Sequence, residues 1–143
     1  MADILHDLTI GAPPEAVFDA ISTPAGLDTW WTWSCTGRPA VGQTFVLGFT
    51  PEYRWHAQVT RYEPLRVFEL TLTDAQDDWL GTRVLFELEP DGDSTTLYFG
   101  HLGWAECNSH FRQSNFCWAL YLNVLRRHLE SGIATPYDAR GDA

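Results

Sequence analysis

The sequence predicts an α+β domain in which a curved antiparallel sheet of about six strands wraps around one long C-terminal helix, with two short helices after the first strand. Three observations predict it. Residues 43–102 hold five successive runs of period-two alternation, joined by connections too short for crossover helices. Residues 109–131 carry an apolar stripe at helical spacing that stops at a glycine. Between the first strand and that sheet, two segments open on proline and repeat apolar residues at helical intervals.

Each element follows from local chemistry. Asp3–Ile10 is the first expected strand. In "GAPPEAVFDAIST", Pro14 suits a first helical turn, where its missing N–H costs nothing, and Val17, Phe18 and Ile21 share a face. In "STPAGLDTWW", Thr23 caps, Pro24 starts, and Leu27, Trp30 and Trp31 follow at i, i+3 and i+4. Expected strands then cover Gln43–Phe49, Tyr53–Tyr62, Arg66–Thr73, Gly81–Glu89 and Thr95–Leu102, with Asp91-Gly92 turning the last hairpin. Alternation points Trp55, Ala57, Val59, Phe68, Leu70, Leu72, Val84, Phe86, Leu88, Leu97, Phe99 and His101 to one face. His56, Gln58, Thr60, Glu69, Thr71, Arg83, Glu87 and Glu89 point to the other, which meets water. The helix Ser109–Ser131 places Phe111, Trp118, Leu122, Leu125 and Leu129 on its inner stripe, and Gly132 caps it. The domain is expected to span residues 1–132, with 133–143 as a flexible tail and no second domain.

The totals exclude several classes of function. The formal charge is −10, and all nine basic residues are arginine. That balance repels phosphate backbones and anionic lipid surfaces, so no nucleic-acid or membrane partner is expected. No apolar run approaches the roughly 18–20 residues of a membrane span, and "MADILHDLTI" lacks the basic start of a secretory signal. Three cysteines without CxxC spacing indicate reduced thiols and a cytoplasmic location.

Three stretches resemble a known family. "IGAPPEAVFDAISTPAGLDTWW", "LYFGHLGW" and "FCWALYLNVLRRHLESG" are similar to the opening, last strand and closing helix of the activator of heat-shock-protein ATPase homologue-like (AHSA-type) family. That family lies in the START-like, or SRPBCC, superfamily, whose fold is the helix-grip (Bet v-type) arrangement. The resemblance covers most of Ile4–Gly132. It implies a cavity between helix and sheet. Members share the fold but differ in what they do; some bind lipids, hormones or polyketides, and a few are cyclases or hydrolases. Stress response is the association the family name carries.

Candidate site residues follow from placing the sequence on that arrangement. Trp30 and Trp31 plug one end of the grip, whereas Trp33, in "TWS", has no periodic pattern to bury it. Trp33, Trp55, Trp104 and Trp118 are the expected walls of a ligand site, with Phe86, Phe99 and Phe111 beside them and Tyr121 as a wall with a polar tip. His101 continues the inward series and, with Asn115, is an orienting polar group; it is also the one candidate acid–base. His110, Ser114 and Asn115 place polar groups at the start of the helix, which a ligand or water would pair unless they simply meet solvent.

His101, Cys107 and His110 are zinc-type ligands, but their spacing matches no closed zinc module, and no metal or other cofactor is expected. The acidic turns "DAQDDW" and "DGDS" read as solvated. Cys35 has no neighbouring base to activate it. Phe116 and Leu120, on the outer side of the long helix, form half of a homodimer contact, pack under the loop after the second short helix, or are simply exposed; the sequence leaves these open. The leading expectation is binding of a small apolar or aromatic molecule in an internal cavity. The alternatives are an enzyme of cyclase, dehydratase or hydrolase type using His101, and a chaperone-related interaction module.

Overall fold

The computed structural model describes residues 1–142. Its order is β1 (Ala2–Ile10), α1 (Pro14–Ser22), α2 (Pro24–Leu27), β2 (Ser34–Thr36), β3 (Thr44–Gly48), β4 (Arg54–Glu63), β5 (Val67–Asp74), β6 (Arg83–Asp91), β7 (Ser94–Trp104), α3 (Ser109–Ser131) and a closing 3₁₀ helix (Tyr137–Asp142). One antiparallel sheet runs β1-β7-β6-β5-β4-β3-β2. The expected α+β helix-grip class is therefore correct, with seven strands in place of about six. The added strand, β2, has three residues and turns a single side chain, Cys35, inward, so it leaves no period-two signal.

Alternation is obeyed along the inner face. Ala57, Val59, Phe68, Leu70, Leu72, Val84, Phe86, Leu88, Leu97, Phe99 and His101 are all buried. Glu69 departs from the expected water-facing set: it is 3% exposed. The outer face covers it, with Thr60 Oγ1 donating to its Oε1 over 2.7 Å and Arg83 3.5 Å from its Oε2.

Short helices form the corner that closes the grip. Thr23 Oγ1 accepts from Gly26 N–H, and a Cβ at Gly26 would lie 2.2 Å from the Asp19 carbonyl, so only glycine lets α2 fold back on α1. The helix α2 stops at Leu27, yet the N–H groups of Trp30 and Trp31 still bond to the Leu27 carbonyl. Both tryptophans therefore remain about one turn beyond Leu27, as the spacing requires. Asn108 caps α3 by accepting from Phe111 N–H, and Gly132 ends it at φ 72°.

The segment expected to be a flexible tail is docked through its described residues. Arg140 is 6% exposed and donates to the carbonyls of Asp28, Thr32 and Thr135. Its guanidinium also lies 5.4 Å from the Tyr137 ring centroid. Burial lowers the Arg140 pKa, with Tyr137 and Asp28 acting in the opposite direction. Residue 143 lies outside the described residues. Among the described residues no helix is long and apolar enough to cross a membrane.

Candidate functional site

At the centre of the molecule, one directional chain of hydrogen bonds ties helix, sheet and loop together. Trp118, buried on α3, donates its indole N–H to His101 Nδ1 over 3.0 Å. Because an indole can only donate, Nδ1 is an acceptor and the imidazole proton sits on Nε2. His101 Nε2–H then donates to Thr82 Oγ1 over 2.8 Å, and the Thr82 hydroxyl donates to the Trp79 carbonyl. Every member is used once. His101 is fully buried, and burial, with a smaller contribution from the neighbouring His110, lowers its pKa to about 3. It is a neutral, satisfied core histidine. With both nitrogens occupied and no exposed surface, it has neither the access nor the free lone pair that an acid–base group needs.

His101 instead positions two tryptophans. Trp79 and Trp118 lie with centroids 5.9 Å apart and planes at 24°. Trp79 meets the His101 ring edge-on at 4.4 Å, and Trp55 packs on Trp79 at 5.1 Å. Beyond this wall a cavity of about 330 Å³ opens between α3, the turn joining β3 to β4, the 75–82 loop and the closing 3₁₀ helix. Eight aromatic side chains line it: Trp31, Phe49, Tyr53, Trp55, Trp79, Trp118, Tyr121 and Tyr137. Its polar lining is Gln76, His110, Gln113 and Ser114, with the Cys117 thiol; no lysine or arginine takes part. Burial raises the pKa of Tyr121, and desolvation raises that of Cys117, so both are neutral near pH 7.

The cavity lies outward of the position expected from the sequence. Of the expected wall residues, Trp55, Trp118 and Tyr121 line this cavity. Phe86, Phe99, His101 and Trp104 do not: they are buried one layer behind it, where the inner face is filled by their own packing. Phe111 packs edge-to-face on Trp104 at 5.3 Å, again behind the wall. Asn115 is exposed, rotated away by helical geometry from Ser114, which is buried on the cavity. Trp33 is 46% exposed; it lies in a shallow recess with Phe49 and Tyr137, which line both spaces. Trp30 is core, stacked on Trp31 and donating to the Ala20 carbonyl.

The largest omission of sequence reading is Trp79. It ends the acidic turn "DAQDDW", whose carboxylates suggest solvent, yet it is only 8% exposed. A lone tryptophan in an acidic turn is itself a signal, because so large an apolar surface needs a partner. In the same loop Asp78 Oδ2 lies 3.0 Å from His110 Nδ1, and Asp78 Oδ1 accepts from the side chain of Asn108. Trp104 meets the His110 ring edge-on at 5.5 Å. Among the described residues no group of three His, Cys, Asp or Glu is placed to hold a metal ion, so His101, Cys107 and His110 are not gathered. Cys35 is buried, with its pKa pushed up to about 12 by burial and by Asp28, which leaves no thiolate at neutral pH.

Comparison with known proteins places this geometry. The family model described as "Activator of Hsp90 ATPase homolog 1-like protein" matches residues 11–130. The solution structure of the Aha1 dimer from Colwellia psychrerythraea is similar at 30% identity and TM-score 0.83, covering 92% of this chain and 98% of that one. Protein SSP2350 from Staphylococcus saprophyticus is 19% identical, with TM-score 0.79 and coverage of 94% and 96%. CalU16 from Micromonospora echinospora is 21% identical, with TM-score 0.76 and coverage of 98% and 84%. At those identities the last two speak to the fold alone. No curated protein gives a significant sequence match.

Proposed function

We propose, from the premise that this chain belongs to the activator of Hsp90 ATPase homolog 1-like family, that it binds a small apolar or aromatic molecule in the cavity between α3 and the sheet. The observation that carries this reading is the lining itself: eight aromatic side chains around about 330 Å³ that the chain leaves unfilled. Several of those rings are only half-buried and Tyr53 is exposed, so the space is an open cleft, and aromatic surface gathered in a cleft is surface that a ligand would cover. The volume sits at the lower end of small-molecule cavities, roughly 300–1,000 Å³, and suits a compact one- or two-ring compound. Because His101 is enclosed and fully bonded, the reading is one of binding, and no reaction is assigned to that residue.

A second copy of the chain is the other partner in this reading. Phe116 on the outer side of α3 is 67% exposed, and the Colwellia relative was solved as a dimer.

Equilibrium dialysis against naphthalene tests the cavity. The protein is expected to take up about one equivalent, and Cys117→Trp, which adds a large side chain to the cavity wall, is expected to take up none. Failure of the unmodified protein to take up naphthalene, or uptake unchanged by filling the cavity, overturns the reading.

A further inference from the structure

The polar groups of the cavity are not scattered. His110 and Ser114 are one turn apart on α3, Gln113 lies between them, and Gln76 comes from the loop that also supplies Asp78. Within this group His110 is held in one orientation. Its Nδ1 is 3.0 Å from Asp78 Oδ2, and the ring rests edge-on against Trp104. Asp78 is itself fixed to the start of α3, because Asn108, which donates to it, also accepts from Phe111 N–H as the helix cap.

A carboxylate only accepts, so the neutral imidazole carries its proton on Nδ1 and leaves Nε2 as a lone-pair acceptor. Among the described residues His110 makes its hydrogen bond through Nδ1, and neither its Nε2 nor the Ser114 hydroxyl takes part in one. His110, with Ser114, Gln113 and Gln76 beside it, therefore brings an oriented acceptor to a mainly aromatic wall.

Charge narrows the choice further. No lysine or arginine lines the cavity, Asp78 stands directly behind His110, and the whole chain carries −10. An anionic ligand would lose its hydration with no lysine or arginine in the lining to pair with it, Arg140 being bonded to carbonyls behind Tyr137. We infer that the cavity selects an uncharged aromatic molecule bearing a hydroxyl, held by a hydrogen bond from that hydroxyl to His110 Nε2, with Asp78 as the residue that orients the imidazole. This inference rests on the cavity reading above and adds the chemical class of the ligand.

The test compares 2-naphthol, naphthalene and 2-naphthoate by equilibrium dialysis at pH 8 on the full chain. Apolar transfer alone favours naphthalene, the least soluble of the three, so any preference for naphthol reports a polar contact. The expected result is 2-naphthol bound about tenfold more tightly than naphthalene, which one well-placed hydrogen bond supplies, and 2-naphthoate bound at least about tenfold more weakly than 2-naphthol. His110→Phe is expected to abolish the naphthol preference, read as the ratio of naphthol to naphthalene affinity so that any change in the apolar lining cancels. Asp78→Asn, a near-isosteric change in a part-exposed loop, is expected to reduce the preference without abolishing it. Equal binding of naphthol and naphthalene by the unmodified protein, or a preference that survives His110→Phe, overturns the assignment and leaves the cavity reading intact. Absence of binding by all three compounds overturns both.

Discussion

His101→Phe probes the hydrogen-bond chain that sets the cavity wall. Phenylalanine approximates the volume of the imidazole but offers no acceptor. The Trp118 indole N–H is then left unpaired at a position only 2% exposed. Leaving a buried donor unsatisfied costs about 1–3 kcal/mol, and the larger ring adds about 1 kcal/mol of misfit. Thr82 keeps its bond to the Trp79 carbonyl and loses only a donor to its own oxygen, which is the lesser loss. A loss of about 3 kcal/mol follows. For a chain of 143 residues, at about 2.1 cal/mol/K per residue, that lowers Tm by about 10 °C.

The loss should also depend on pH. His101 is neutral in the folded state with its pKa lowered to about 3, whereas in the unfolded chain it titrates near 6.5. A depressed folded pKa means that the unfolded state binds the extra proton. The stability linked to the neutral imidazole is therefore present above pH 6.5 and is lost as pH falls toward 3. Between pH 7 and pH 5 the unmodified protein should lose about 2 kcal/mol through this one group, and His101→Phe should not. Urea unfolding followed by near-ultraviolet circular dichroism at the two pH values measures both quantities. An unchanged urea midpoint in His101→Phe at pH 7, together with parallel pH dependence, would refute the reasoning.

Three further outcomes follow from single contacts. Arg140→Ala removes three charge-assisted bonds that dock the closing segment; it should cost about 2 kcal/mol in urea unfolding and should speed release of naphthalene, because Tyr137 loses its anchor. Gly26→Ala puts a methyl group within 2.2 Å of the Asp19 carbonyl; thermal unfolding should show a loss of about 3 kcal/mol or more, whereas Gly132→Asn, at a left-handed cap position, should cost under about 1 kcal/mol. If α3 carries a dimer contact, Phe116→Glu should shift sedimentation velocity from dimer to monomer without changing Tm of the monomer by more than a few degrees.

Much of the fold is legible because its signals are local. Period-two alternation from Thr44 to Leu102 and the capped stripe of α3 each specify one buried face, and the structure buries both. The site is less legible because it depends on what fills the grip. Sequence reading aims His101 inward but does not show that Trp79, Trp104 and Trp118 close over it, since two of those contacts come from a loop and a helix well separated from it in the chain. Trp33 carries a different lesson. It lacks a periodic pattern, yet its backbone N–H pairs with the Gly48 carbonyl next to the short β2, while its side chain is left half-exposed. The closing segment is illegible for a similar reason: Arg140 docks on backbone carbonyls of Asp28 and Thr32, and carbonyls leave no mark in a sequence.

The most direct test of the central claim is a two-dimensional nitrogen–proton spectrum of the seven indole N–H groups, assigned by single Trp→Phe variants and recorded during addition of naphthalene. The cavity account predicts saturable shifts at Trp31, Trp55, Trp79 and Trp118, with Trp30 and Trp33 nearly still. Shifts confined to the exposed Trp33, or none at any indole, would contradict it.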